Sequence, residues 1–285
     1  MSAVVVRTRP GGAGGRGQET WSGRWVRRLR FYLPAVVVFV GTLAVWQVFA
    51  NALAGKVTVL PAPSVIVETL RNHWDDARYP LGAAMQGTLT EALGGLALGT
   101  LAGVLVALAS ARFLTARDIL LPVAVAASAI PIIAMAPLFN AWFGILNPLS
   151  KMMMAAVLVF FPVMANVTLG LVSVDKAALE LTRSYASSEW AVVRKVRIPN
   201  ALPYFFTALK LATTLSLIGA IVAEYFGGQR NVLGRIIVES ASSLAFDVTW
   251  AAIMLGAASG IVTYLVVALL ERLVIPWHAS QRSEQ

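Results

Sequence analysis

Residues 180–203 read ELTRSYASSEWAVVRKVRIPNALP, a polar stretch in a chain that is otherwise almost continuously apolar. It contains two acids, four bases and two prolines. Apolar residues between Leu181 and Val196 recur mainly at three- and four-residue steps, which predicts a short amphipathic helix or a pair of such helices. Pro199 and Pro203 are expected to end this segment and to begin the next helix, because proline is tolerated only in the first helical turn.

The chemistry of this stretch leaves two interpretations open. It could be a polar connector between two apolar runs, with Glu180 and Arg183 close enough to pair on one helix face. Alternatively, it could be a rigid docking element that exposes Tyr185 and Trp190 to a partner.

The rest of the composition points to a membrane. The 285 residues are 58% hydrophobic and 13% charged, and the mean hydropathy is +0.74. Runs of about 20 apolar residues suit a bilayer core of roughly 30 Å, whereas a soluble domain could not hide them from water. We therefore expect an all-α, polytopic protein of the inner (plasma) membrane with about six transmembrane helices. The absence of cysteine and the presence of only two histidines, far apart, predict no metal site.

The apolar runs divide the chain into segments. Residues 1–30 are rich in Gly and Arg and are expected to form a disordered cytoplasmic tail. Residues 31–53 are expected to form the first transmembrane helix, because their apolar run exceeds the roughly 7–15 residues of a signal-peptide core. The remaining predicted segments are an extracytoplasmic loop at 54–85, a five-helix core at 86–275 and a cytoplasmic tail at 276–285. Within the core, the predicted spans are 86–110, 118–142, 151–174, 204–226 and 249–273, with a cytoplasmic loop at 175–203.

The basic residues support this topology. With both termini in the cytoplasm, seventeen of the 23 lysines and arginines fall in inside segments and six in outside segments. That bias is typical of the positive-inside rule. The net charge of +9 is therefore assigned to topology and to contact with lipid headgroups, and no nucleic-acid partner is expected.

The outer loop contains one amphipathic pattern, LPAPSVIVETLRNHW, which begins at Leu60. Ser64 is expected to cap a short helix, because a serine oxygen can accept the free N–H groups of a helix start. The apolar positions at 65, 66, 69 and 70 follow helical spacing, so we expect this helix to lie at the membrane interface.

A few residues within the spans could serve transport. Pro131 and Pro137 would free backbone carbonyls inside span three, so residues 129–140 are predicted to line a pathway, with a kinked packing helix as the alternative. The side chains considered as pathway-lining candidates are Ser128, Met135 and Asn140. Glu91 and Glu224 are acids in or beside apolar runs, where such groups are rare and often functional. Gly95, Gly99 and Gly103 form repeated G-x-x-x-G patterns that predict close helix packing.

The opening stretch resembles the cytoplasmic loop signature of binding-protein-dependent ABC-transporter permeases. That signature places Glu-Ala-Ala, a glycine, and Ile-x-Leu-Pro at fixed intervals. Glu180 matches the acid, Leu181 and Thr182 replace the two alanines, and Ala186 stands at the glycine position. Val196, Ile198 and Pro199 match the end of the signature without gaps. The resemblance favours the docking interpretation, in which this loop, with Tyr185 and Trp190 exposed, couples the permease to an ATPase.

Three other segments resemble the branch that handles nitrate, sulfonates, taurine, thiamine-pyrimidine precursors and riboflavin. They are LPAPSVIVETL at Leu60, AIPIIAMAPLFNAWFG at Ala129 and NALPYFFTALKLA at Asn200. The resemblance covers about residues 60–275. It implies a permease subunit without enzymatic activity or cofactor of its own, pairing as a homodimer. Its implied partners are cytoplasmic ATPase subunits, which bind ATP, and an extracytoplasmic solute-binding protein. The chain agrees in having no G-x-x-x-x-G-K-[ST] loop.

Two other classes of protein are alternatives to a permease subunit. An ion-gradient-driven transporter or channel would use coupled acids or broken helices in repeated halves, and Glu91 has no obvious counterpart in the second half of the sequence. A membrane-embedded enzyme would need a nucleophile and a base, or metal ligands, within the spans. For the solute, the absence of arginine inside any span favours a neutral or heteroaromatic molecule over an anion.

Overall fold

The computed structural model describes residues 21–53, 59–112, 131–185 and 187–276. The described residues form ten α-helices, a 3₁₀ turn and a π-helical turn. Five apolar helical segments are long enough to cross a membrane: Leu33–Ala52, Leu81–Ser110, Pro148–Val172, Glu189–Tyr225 and Phe246–Val274. The predicted fold class, an all-helical polytopic membrane protein, is confirmed.

Helix α1, Trp21–Ala52, forms a unit of its own. It contains the predicted first span and begins at Trp21, inside the segment that the sequence assigned to a disordered tail. Residues 1–20 of that tail lie outside the described residues. Pro34 is within the helix.

The second unit is built around three long helices, α3 (Leu81–Arg112), α5 (Pro148–Val172) and α8 (Ile198–Tyr225). Glycines let α3 approach α5 at backbone distance. A Cβ on Gly95 would meet Ala155 Cβ and would lie 2.7 Å from Met152 O, and a Cβ on Gly99 would lie 2.8 Å from Val159 Cβ. The G-x-x-x-G prediction is confirmed as a packing contact within the chain.

The other described helices are short, apart from α10. They are α2 (Pro63–Asn72), α4 (Ala136–Phe143), α6 (Lys176–Ser184), α7 (Glu189–Val192), α9 (Leu233–Ser242) and α10 (Phe246–Val274). Lys210 of α8 forms an ion pair of 2.8 Å with Glu271 of α10. Trp250 of α10 donates its indole N–H to Val59 O at 2.9 Å. These two bonds attach α10 to the rest of the unit near both of its ends.

Helix α2 corrects one prediction. Its N-cap is Ala62 and Pro63 begins the helix, so Ser64 lies inside the first turn and is not the cap. The reason is that proline needs no N–H partner at a helix start and its fixed φ suits the first turn. The predicted amphipathic pattern is real in part, since Ile66 and Thr69 are buried while Val65 is exposed.

The third predicted span, 118–142, is described only from residue 131 onwards. There the chain forms a 3₁₀ turn, Ile132–Met135, and then α4. Pro131 precedes the turn as its N-cap and Pro137 lies in the first turn of α4. Both prolines stand at helix starts, where a missing N–H breaks no intrahelical hydrogen bond, so carbonyls freed within a helix are not seen in the described residues of this span. The assignment of residues 129–140 to a pathway stays a prediction.

Residues 180–203 contribute to two helical segments, as predicted, but Pro199 and Pro203 do not interrupt the second one. Helix α7 continues through the π-helical turn Val193–Arg197 directly into α8. In that turn, Ile198 N–H bonds to Val193 O, five residues earlier. The widened turn lies immediately before Pro199, which has no N–H to donate, so the helix passes both Pro199 and Pro203 without ending.

Replacing Gly99 with alanine is expected to lower the free energy of unfolding by about 1–3 kcal/mol, because the new methyl group would press on the α5 backbone. Gly256→Ala is the matched control, since its Cβ would meet only flexible side-chain ends, Ile221 Cδ1 at 3.3 Å and Leu233 Cδ1 at 3.8 Å. Thermal unfolding of both variants in the same detergent measures the difference. Equal stability of the two variants would contradict the close packing of α3 on α5.

Candidate functional site

Three ionisable side chains from three long helices are buried together at one end of the bundle. Glu91 of α3 is 3% exposed, and Lys151 of α5 and Glu224 of α8 are 0% exposed. Electrostatic interactions join each of the three to the other two. We call these residues the charge cluster.

Buried residues that recur every four positions on each helix bring the charge cluster together. On α3, Glu91 precedes Gly95 by four residues and so lies on the face that packs against α5. On α5, Lys151 begins the buried row that continues through Ala155, Val159 and Val163. Gly95 meets Ala155, Gly99 meets Val159 and Gly103 meets Val163, so one turn earlier Glu91 comes opposite Lys151.

Helix α8 places Glu224 in the charge cluster through the same four-residue spacing. Ala208, Ala212, Ser216, Ala220 and Glu224 are spaced by four residues, and all are buried. Small side chains allow α8 to lie close to α5, as shown by Gly219, whose Cβ would lie 2.9 Å from Ala155 Cα. Glu224 ends this row and faces the other two charges.

The ammonium group of Lys151 is held by groups from the α4–α5 corner. Its Nζ donates to Asn140 Oδ1 at 3.2 Å and to Ile145 O. Asn140 in turn donates Nδ2 to Phe226 O at 3.3 Å, just past the end of α8. These bonds fix the lysine head in place and tie α4 to α8.

The carboxylate of Glu224 lies at the start of α9. Its Oε2 accepts the backbone N–H of Gly234 at 2.6 Å, and the Thr88 side chain lies within hydrogen-bonding reach. Thr88 Oγ1 also accepts the N–H of Leu233 at 2.8 Å. Helix N-termini favour a negative charge through their free N–H groups and dipole. A Cβ on Gly234 would contact Ile221 O and lie 2.7 Å from Glu224 Cβ, so glycine is required for this approach.

Glu91 has a different environment. Its side chain interacts with Glu224 and with Lys151, and Oε2 has no hydrogen-bond partner in the described part of the chain. Oε1 of Glu224 is likewise buried without a partner there. One ammonium and two carboxyl groups thus share a site from which water is largely excluded.

The structure brings some predicted site residues together and separates others. Glu91, Glu224 and Asn140 meet in or beside the charge cluster. Met135 packs in a small apolar core with Ala136, Phe139, Met154 and Ala223, and Pro131 and Pro137 are exposed. Ser128 lies outside the described residues.

Sequence reasoning missed Lys151 of the charge cluster and its neighbour Thr88. Lys151, the first residue of the predicted span 151–174, was counted only among the basic residues of outside segments, and Thr88 was not considered. The sequence also did not predict that Glu91 and Glu224 meet in space. The signal that could have found Lys151 is its position at the start of an apolar row with four-residue spacing.

At the other end of α8, the predicted docking segment presents its apolar side chains outward. Leu181, Tyr185 and Trp190 are 59%, 77% and 69% exposed. Glu180 is exposed, while Thr182, Val196, Ile198 and Pro199 are partly buried. Ala186 and the Arg183 side chain lie outside the described part, so the turn at the glycine position and the Glu180–Arg183 pair stay predictions.

This segment is fastened to the bundle by the ends of α5 and α8. Asn200 Nδ2 donates to Gly170 O at 2.8 Å and to Ser173 Oγ at 3.4 Å. Ser188 caps α7 by accepting the N–H of Ala191 at 3.3 Å. The segment therefore continues rigidly into α8 and is held to α5 at its base.

An apolar cavity of about 580 Å³ lies between α3, α5 and α8. Its lining is aliphatic and aromatic, with Thr100 as the single polar side chain. Such a surface suits lipid or a packed helix and has no groups to orient a polar solute.

Comparisons with known proteins agree with these features. Residues 99–276 match the family described as binding-protein-dependent transport system inner membrane component. A probable ABC transporter permease protein of Haemophilus influenzae is 32% identical over 228 residues, covering 80% of this chain and 90% of that protein. The riboflavin transport system permease protein of Chloroflexus aurantiacus is 28% identical over 257 residues, covering 88% and 93%. The formylaminopyrimidine transport permease protein of Halalkalibacterium halodurans is 28% identical over 250 residues, covering 87% and 97%. Permeases named for sulfonates, taurine and nitrate are also similar.

Lys151→Met is expected to lower the free energy of unfolding by about 3–5 kcal/mol, because it leaves a buried carboxylate without its counter-charge. Lys176→Met, on the exposed side of α6, is the matched control and should change stability by less than about 0.5 kcal/mol. Adding Glu224→Gln to Lys151→Met should recover part of the loss. Thermal unfolding of the three variants tests this, and a Lys151→Met protein as stable as its control would show that the cluster is not held by charge.

Proposed function

Because the chain belongs to the family of binding-protein-dependent transport inner membrane components, we propose that it forms the translocation pathway of an ATP-driven importer for a small solute. The family consists of permease subunits, and the chain is a multi-pass protein of the inner membrane. ATP hydrolysis takes place on separate ATPase subunits. The chain itself carries no ATP-binding loop in its sequence.

One observation carries the coupling part of this proposal. Trp190, which is exposed, and Glu224, which belongs to the buried charge cluster, lie near the two ends of one helical segment. That segment, Glu189–Tyr225, is 37 residues long. At a rise of about 1.5 Å per residue, such a rod spans roughly 55 Å. A movement imposed on Trp190 by an ATPase is therefore carried through the membrane to Glu224.

The proposed partners are those of a binding-protein-dependent importer. The segment 176–192 docks in a groove of the cytoplasmic ATPase dimer, where Leu181, Tyr185 and Trp190 supply apolar anchors. Two copies of the chain pair about a two-fold axis to enclose one pathway. A solute-binding protein delivers the solute to the opposite face, and ATP shifts the population between outward- and inward-facing states.

The solute is proposed to be a neutral or heteroaromatic molecule of the flavin or pyrimidine type. The relatives named for riboflavin and formylaminopyrimidine support this class. The buried Lys151 is the one described cation at the cluster, and two acids face it, so it offers no free positive charge to a nitrate or sulfonate. Residues 128–140, with Ser128, Met135 and Asn140 as the side chains, are proposed to contribute to the pathway.

Trp190→Ala is expected to abolish co-purification of the ATPase with a tagged permease, while the permease stays folded. Trp190 is 69% exposed, so its loss removes a docking anchor without opening the core. Trp142→Ala, at 62% exposure in α4, is the control and should retain the ATPase. Retained ATPase with Trp190→Ala would count against docking here. A wild-type permease that purifies alone and moves solute without ATP would favour the ion-gradient-driven alternative.

The proposed orientation is tested with single cysteines, because the chain has none of its own. Ser187→Cys lies in the docking segment and Ser243→Cys in the loop after α9, and both positions are exposed. In intact cells, an impermeant maleimide should label position 243 and leave 187 unlabelled until the membrane is opened. The reverse pattern would invert the topology.

A further inference from the structure

Each of the two carboxyl groups of the charge cluster has one oxygen atom to which no described residue donates a hydrogen bond. Glu91 Oε2 and Glu224 Oε1 are both buried and have no hydrogen-bond partner in the described part of the chain, and the two side chains interact electrostatically with each other. Two ionised carboxylates can only accept hydrogen bonds, so they would leave both oxygens unsatisfied. A proton on one of the two carboxyl groups supplies a donor for the other group.

The charges lead to the same conclusion. With both acids ionised, Lys151 would balance only one of two buried negative charges. An uncompensated charge in a low-dielectric interior is costly, and buried acids commonly take up a proton instead. One proton on the pair makes the cluster of Glu91, Lys151 and Glu224 neutral.

The surroundings decide which acid holds the proton. Glu224 accepts the N–H of Gly234 at the start of α9 and has the Thr88 hydroxyl beside it. Both favour the ionised form. Glu91 lies in the middle of a helix face and is given no comparable donor by the described residues.

We propose that Glu91 is a buried proton-binding site whose carboxyl O–H donates to the Glu224 carboxylate, fastening α3 to α8 and α9. The bond joins an O–H to an ionised oxygen, which is the strong class of hydrogen bond. Lys151 from α5 then balances the charge of Glu224. The site does not depend on the transport function proposed above.

A metal cation is a poorer occupant of the same place. Small cations such as Na⁺ need several oxygen ligands, and here the Lys151 ammonium already lies within electrostatic reach of both acids. A cation added beside it would give a second positive charge at close range. A proton needs only the two oxygens that the structure leaves unsatisfied.

The test combines infrared spectroscopy with two isosteric variants of the full-length chain in lipid nanodiscs. At neutral pH exposed acids are ionised, because their pKa values lie near 4. The wild type should nevertheless show the C=O stretch of a protonated carboxyl group, shifted in D₂O. Glu91→Gln should remove that band and keep the wild-type melting temperature, because its amide N–H still donates to Glu224.

Glu224→Gln is the contrasting variant. It removes the carboxylate that balances Lys151 and gives Gly234 N–H a weaker acceptor, so a clear fall in melting temperature is expected. The wild-type spectrum does not rely on either variant folding: its lack of a protonated carboxyl band would overturn the proposal. Equal losses of melting temperature in the two variants, or a melting temperature that rises with Na⁺ at constant ionic strength, would also overturn it.

Discussion

The close approach of α3 to α5 is the constraint on which the rest of the second unit depends. Gly95, Gly99 and Gly103 have no side chains to hold the two backbones apart. They pack against Ala155, Val159 and Val163, which recur on α5 at the same spacing. Because the two helices keep one register over these positions, the residues at the next turn of each lie opposite one another. Those residues are Glu91 and Lys151, so the packing that excludes lipid also creates a buried charge.

A buried charge must be balanced, and this requirement organises the neighbouring elements. Glu224 lies in the last turn of helix α8, and α9 begins where the N–H of Gly234 bonds to that carboxylate. The α4–α5 corner supplies Asn140 and Ile145 O to the ammonium group. Removing one partner would leave the others desolvated and unpaired, which is why the cluster holds five segments together more firmly than its few hydrogen bonds alone suggest.

Much of this architecture could be predicted from sequence because it follows from composition and period. Apolar runs predict the long helices, and the G-x-x-x-G pattern predicts the contact between α3 and α5. The polar stretch at 180–203 predicts the amphipathic segment. The burial of Lys151 was not predicted because its neighbours Asn147 and Pro148 indicate a loop, and a lysine beside a loop is normally assigned to water. The row at 151, 155, 159 and 163 carries the correct information, but only in combination with the matching row on α3. The helix through Pro199 and Pro203 could not be foreseen either, since the π-helical turn that accommodates the first proline leaves no pattern in the sequence.

The continuity of α7 and α8 connects the exposed Trp190 to the charge cluster. Trp190 and Glu224 are 34 residues apart on one rod with a single widened turn between them, so α8 cannot move at one end without moving or bending at the other. At the end near Trp190, Asn200 links α8 to the end of α5 by two hydrogen bonds. At the far end, α8 is held to α3 and α5 through charge. Hydrogen bonds and ion pairs have defined geometries, whereas the apolar contacts between them tolerate sliding of one helix along another. Any displacement of α8 therefore has to exchange polar partners at its two ends while its middle slips on alanine and glycine, which concentrates the barrier between conformations in the few polar residues described here.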